Sequence, residues 1–216
     1  MRWWIARAPF LRGAALLILA SIGPAAYAAV LPSVPHGLLV LLPWRATLHL
    51  AIFQLAVVLI PLDGIGLTFR LGRRDGLAAL IAFLAFALIG IPIGLGTAFI
   101  HWGWQRLTPL DLTALAFKIY FLIALPEELL FRGLFQNALE KRWFRYRRWP
   151  GSLAIASVIF GAAHLGHRPA PNWRYGLLAT LAGVAYGFVW HRSRKITASA
   201  LTHFAVDFAW SVFLAG

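Results

Sequence analysis

Cysteine is absent from the 216 residues, which excludes a disulfide framework, thiolate metal ligands and a cysteine nucleophile. Charge is scarce: Asp, Glu, Lys and Arg make up 12% of the chain, against roughly 25% in soluble domains. Only seven residues are acidic, so any carboxylate chemistry has few candidates. There is no internal repeat, Gly-X-Y period or low-complexity tract, which removes solenoid, collagen-like and disordered architectures. Neither a His-Glu-x-x-His zinc helix nor a Gly-x-Ser-Gly nucleophile occurs. What is present is apolar: 61% of residues are hydrophobic and the mean hydropathy is +0.75, values that exclude a soluble globular protein. The twenty Lys and Arg give a formal charge of +13, which in a soluble chain would suggest nucleic acid. Here they stand in short clusters between long apolar runs, so the expected partner is the lipid bilayer and not nucleic acid.

A hydrocarbon core about 30 Å thick takes roughly 20 apolar residues in a helix, with the backbone hydrogen bonds closed inside that helix. Segments at 13–31, 38–62, 76–100, 110–135, 151–166, 175–190 and 196–214 fit or nearly fit. The expectation is an all-α, polytopic membrane helix bundle of about seven transmembrane helices, forming one integral membrane domain over residues 1–216. The fifth and sixth segments are short and are expected to be tilted or sheltered. Fourteen basic residues fall on one side: Arg2, Arg7 and Arg12; Arg70, Arg73 and Arg74; Lys141, Arg142, Arg145, Arg147 and Arg148; Arg192, Arg194 and Lys195. The other side holds Arg106, Arg168 and Arg174, with Arg45 nearby. Cytoplasmic loops carry the excess of Lys and Arg, which puts the amino terminus in the cytoplasm and the carboxyl terminus outside, in a bacterial inner membrane. Nine of the ten tryptophans, Trp190 among them, fall near segment ends, where amphipathic rings favour the headgroup level. A rival reading exists for the first segment: a basic start, an apolar run and Ala26-Tyr27-Ala28 also fit a cleavable signal peptide.

Ionisable groups inside the apolar segments carry the functional signal, since each costs roughly 2.5–3.5 kcal/mol at the bilayer centre and normally faces an interior cavity. Asp63, Asp75, Asp111 and Glu140 sit at segment ends and are expected to be solvated, as are His36, His101, His167 and His191. Glu127, Glu128 and Asp207 lie within apolar stretches, with Arg132, His164 and His203. One shared polar cavity offsets their costs together. At a rise of 1.5 Å per residue, Glu127 is about 20 Å from Lys141, His164 about 20 Å from Gly151 and His203 about 10 Å from Ile196, so the three can meet near the midplane or in the cytoplasmic half. Glu128 and Arg132 are spaced i,i+4 with the acid first, the favourable order for an ion pair, and His203 and Asp207 share a helix face. Glu127 projects about 100° from Glu128, which leaves it free for chemistry. His49 and Lys118 stand in spans without a motif and are given no role.

Pro126-Glu127-Glu128-Leu129-Leu130-Phe131-Arg132-Gly133 resembles the EExxxR motif of the CAAX-protease and bacteriocin-processing (CPBP, or Abi) family of intramembrane endopeptidases. Phe160-Gly161-Ala162-Ala163-His164 resembles its FxxxH motif, and His203-Phe204-Ala205-Val206-Asp207 its HxxxN/D motif, with Asp207 where prenyl-processing members usually have Asn. The three occur in the family's order over residues 110–214, which would be the protease core; residues 1–109 carry no matching motif.

The resemblance implies hydrolysis of a peptide bond by a water held between a glutamate and a histidine, in a cavity open toward the cytoplasm. Glu127 would then be the general base assisted by His164, with His203 and Asp207 at the carbonyl, or Asp207 holding the tautomer of His203. Glu128, Arg132 and Phe160 would support them. The implied substrate is a membrane-associated protein or peptide. Glu127, His164 and His203 also make a set that could hold zinc with an open position; the resemblance favours a mechanism with no metal. The remaining alternatives are a non-catalytic scaffold or partner-binding relative, and a small transporter, which would favour paired broken helices in internal repeats that the sequence lacks.

Overall fold

The computed structural model describes residues 64–142, 149–167, 169 and 171–215. The expected segments at 13–31 and 38–62, and with them the signal-peptide alternative, lie outside the described residues. Those that are described form a helical unit, Gly64 onward, interrupted only by a two-residue antiparallel pairing.

Helix α1 (Arg73–Gly96) starts at Gly72, whose N–H donates to Asp75 Oδ2 at 2.8 Å, a carboxylate placed at the positive end of the helix. Strand β1 (His101–Trp102) follows. A continuous helical run then extends from Pro109 to Arg142, made of α2 (Pro109–Phe117), a π-helical stretch Lys118–Ala124, α3 (Leu125–Glu128), a second π-helical stretch Leu129–Gln136, and α4 (Asn137–Arg142). Its start is dictated locally: Thr108 and Asp111 exchange capping bonds, with Pro109 in the first turn. The first wide turn precedes Pro126, which has no N–H to give, and Leu125 N–H reaches back to Tyr120 O instead. After it come α5 (Trp149–Ala163), α6 (Trp173–Ser193), α7 (Ile196–Phe213) and strand β2 (Leu214–Ala215). Asn172 caps α6 through Tyr175 N–H, and Arg194 ends it in the left-handed conformation at φ 55°. Gly66, at φ +70°, lies so close to Arg194 that a Cβ would fall 1.7 Å from its carbonyl oxygen.

These helices cover the five expected segments beyond residue 63, with α6 at 21 residues longer than its segment suggested and α5 short at 15. By length and composition, α1 and α7 are the two able to cross a membrane. Leu77, Leu80, Leu84 and Leu88 on α1 are each more than half exposed, an outer surface suited to lipid and not to water.

Small residues let α5 and α6 approach closely, as in membrane interfaces generally: a Cβ on Gly161 would lie 1.9 Å from Thr180 Oγ1 and 2.5 Å from Gly176 O. Gly183 and Gly187 on α6 expose their carbonyls to the long central helix, receiving Arg132 Nη2 at 2.8 Å and Gln136 Nε2 at 3.1 Å. Phe131, Phe160, Ala182, Tyr186 and Val206 form the core between these elements.

The two ends of the unit differ. At one, Lys195 Nζ meets Asp75 Oδ2 at 2.7 Å, and Glu140 receives Arg194 Nη1 at 2.7 Å and His191 Nδ1 at 2.9 Å, the imidazole stacking on Trp149. At the other, β1 pairs with β2 and Arg174 reaches Ala98 O. Three expectations are corrected here. Glu140 is fully buried and not solvated, because the Arg194 guanidinium and the His191 imidazole at the end of α6 close over it. His191 is correspondingly paired. Trp190 is buried, with its indole N–H turned to Ile65 O at 3.3 Å, so it belongs to the core and not to a headgroup belt.

Candidate active site

Glu128 is the most constrained acid in the molecule. Its Oε2 lies 3.1 Å from Arg132 Nε, an ionic contact off the N–H axis, and 2.5 Å from Ser199 Oγ, while its Oε1 lies 3.0 Å from His203 Nδ1. Both side chains of the Glu128–Arg132 pair are 0% exposed. The guanidinium is further held by Gly183 O and by the rings of Phe160 and Tyr186, 4.8 and 5.5 Å from its carbon, contacts that favour a cation over an aromatic face.

Glu127, one place earlier, faces the other way. Its side chain is 29% exposed, while its Oε2 is buried without a hydrogen-bond partner, 3.9 Å from His203 Nε2. It lines a cavity of about 230 Å³ with Phe160, His164, Tyr186, His203 and Asp207. The same His203 Nε2 lies 3.4 Å from Asp207 Oδ2. His203 thus has one nitrogen fixed by Glu128 and the other directed to the cavity between two carboxylates. Tyr186 stacks on its ring at 4.4 Å and 15°, and Phe160 meets it edge-on at 5.7 Å, which leaves the imidazole little rotational freedom.

His164 stands just past the end of α5. Its Nδ1 is 2.7 Å from Phe160 O, and since a carbonyl can only accept, Nδ1 carries the proton and Nε2 is left as the basic nitrogen. Its ring meets Tyr175 at 4.8 Å.

The structure therefore gathers Glu127, His164, His203 and Asp207 on one cavity, as the spacing suggests, and sets Glu128, Arg132 and Phe160 behind it. The tautomer of His203, assigned to Asp207 as an alternative from sequence, is set by Glu128 at Nδ1; Asp207 sits at Nε2. Three contributors escape sequence reading. Ser199, which holds Glu128 and also donates toward Tyr186 O at 2.7 Å, stands four residues before His203, and that polar i,i+4 spacing was a usable signal. Tyr175 and Tyr186 lie eleven residues apart on α6, close to three full turns, so they share a face. Their helix holds no acid and no interior histidine to mark it.

A carboxylate and two imidazoles are the right chemical types for zinc. As arranged, among the described residues no three acid or imidazole side chains group as a metal-binding set, and both nitrogens of His203 are already turned to carboxylates. The donors do not fit a metal in this arrangement.

Residues 109–209 match the family described as type II CAAX prenyl endopeptidase Rce1-like. No curated protein and no solved structure matches the chain. The matched stretch contains all three motifs and every residue that lines the polar floor of the cavity. The three motifs and the helices that carry them thus fall within a stretch, 109 to 209, that matches the Rce1-like CAAX endopeptidases, a membrane-embedded protease family.

Proposed function

We propose that the protein is an intramembrane endopeptidase that hydrolyses a peptide bond of a membrane-associated protein or peptide, using water activated by Glu127. The observation that carries this is the division of labour between adjacent glutamates: Glu128 is wholly committed to Arg132, Ser199 and His203, while Glu127 lines the cavity and keeps a buried, unpartnered oxygen beside His203 Nε2. A water on Glu127 loses its proton to the carboxylate as it attacks the carbonyl carbon, a general-base role that ordinarily contributes 10²–10⁴-fold. Collapse of the tetrahedral intermediate then breaks the C–N bond, and the proton that Glu127 took from water passes to the departing amine, with the unprotonated Nε2 of His164 at the cavity wall able to relay it. His203, when protonated, donates from Nε2 toward the developing oxyanion, with Asp207 alongside to balance its charge. Glu128 and Arg132 hold that imidazole in place and touch no reacting atom. No step calls for a metal. The motif-bearing core is residues 110–214, set within about seven crossings of a bacterial inner membrane with the amino terminus in the cytoplasm.

The test is a comparison of membrane proteomes from cells carrying the native chain and Glu127→Gln. The amide keeps the shape but cannot accept the proton, so at least one membrane protein is expected to lengthen in the variant, while Glu127→Gln itself stays in the membrane fraction at native abundance. Normal processing by Glu127→Gln would show the base to be misassigned.

A further inference from the structure

We infer that the catalytic cavity is entered from the non-cytoplasmic face of the membrane, so that the bond cut belongs to a segment exposed on, or translocated to, that face. The inference rests on the peptidase reading for its chemistry and on the geometry of the bundle for its direction. From Glu127 and His203, the cavity walls continue through Ile123 and Ile119 toward the start of α2, through Tyr175 toward the start of α6, and through Asp207 and Ser211 toward the end of α7. His164, at the end of α5, stands on the same side. All four helices point these ends at the β1–β2 pairing. In the opposite direction the helices are sealed: Glu128, Arg132, Gln136 and Glu140 follow one another down the central helix, each 0% exposed, and α7 is buried from Ile196 to Ala200. Exposure of the site's acids agrees, at 29% for Glu127 and 32% for Asp207.

The sealed end is the basic one. Arg70, Arg73, Arg74, Lys141, Arg142, Arg192, Arg194 and Lys195 lie in or beside it, whereas the described cations at the open end are Arg106 and Arg174. Excess Lys and Arg marks the cytoplasmic side. Cavity and charge thus point to opposite faces, and the cytoplasmic opening that the family resemblance implies is reversed in this chain. The mouth also carries a ring cluster, with Phe99 at 5.1 Å from Trp210 and 5.5 Å from Tyr175, and among the described residues no Lys or Arg lines the cavity. It fits an apolar peptide segment flanked by neutral or cationic residues.

The native chain has no cysteine, so any introduced thiol is the sole one. Three single variants are labelled with a membrane-impermeant maleimide in intact cells with a permeabilised outer barrier, and again after lysis: Ser211→Cys in the cavity, Gln105→Cys on the open end and Phe69→Cys on the basic end. Ser211→Cys and Gln105→Cys are expected to label fully before lysis and Phe69→Cys only after it. Labelling of Phe69→Cys before lysis, or of Gln105→Cys only after it, would overturn the direction. Labelling of Gln105→Cys without Ser211→Cys would overturn the opening. Should Gln105→Cys not accumulate in the membrane, Trp104→Cys replaces it at a position 75% exposed. The readout needs no proteolysis, so it stands or falls apart from the Glu127→Gln comparison.

Discussion

At the scale of single residues, Glu127 and Glu128 show how one step along a helix separates an acid that lines the cavity from one committed to the packing behind it. Glu128 is tolerable at zero exposure because Arg132 supplies the charge and Ser199 and His203 supply donors. Removing the cation strands a buried carboxylate, a loss that ordinarily costs about 3–5 kcal/mol. Arg132→Ala is therefore expected to lower the thermal unfolding midpoint in detergent and to abolish cleavage, since His203 loses its anchor with Glu128. An unchanged midpoint would show that the pair carries no such burden. The i,i+4 pairing of Glu128 with Arg132 was readable from spacing alone. The link from Glu128 to His203 was not, because it joins residues 75 positions apart through a crossing of two helices that spacing within either one cannot define.

At the scale of elements, the site depends on α5 and α6 lying nearly backbone to backbone. Gly161, inside the Phe160–His164 motif, is the point of contact, and an added methyl would meet Thr180 Oγ1 and the Gly176 carbonyl. Backbone cannot yield as a flexible side chain can, so Gly161→Ala is expected to cost about 1–3 kcal/mol and to displace His164, reducing cleavage while leaving membrane insertion intact. Thermal unfolding and turnover of the same preparation check both halves; native values for both would place the interface elsewhere. Among the described residues, helix positions were legible in the sequence to within a few residues, because apolar length is what a bilayer demands. The π-helical stretches were not, since a wide turn is a local answer to Pro126 and to packing on α7. Nor was the burial of Glu140: its position at a segment end predicted solvent, while its actual surroundings come from Arg194 and His191 on another helix.

At the scale of the whole molecule, the polar groups form a graded column. Salt bridges tie the helix ends at the basic face, a fully buried chain of Glu140, Gln136, Arg132 and Glu128 rises from there, and the reactive side chains sit above it at the cavity floor. Such a column makes the site a property of five helices at once. Its donors are committed to one another, which leads to an expectation about metal: exhaustive chelation of purified protein is expected to leave cleavage unchanged, with zinc well below one per chain. Stoichiometric zinc, with activity lost on its removal and restored on its return, would recast Glu127 as a ligand. The composition pointed to a membrane helix bundle and the motifs to a protease family. The direction of the cavity needed coordinates, because it depends on which ends of four helices diverge.

Arg132 finds its uncharged acceptor in the carbonyl of Gly183, a group that every amino acid possesses. What position 183 contributes to that bond is the lack of a side chain, since a Cβ there would come within 3.3 Å of the guanidinium nitrogen. The arginine's partner is thus written into the chain as an empty space. Any redesign of this helix that optimises side-chain contacts will be drawn to fill that space, and in doing so will press on both Ser157 and the guanidinium on which the buried acid rests.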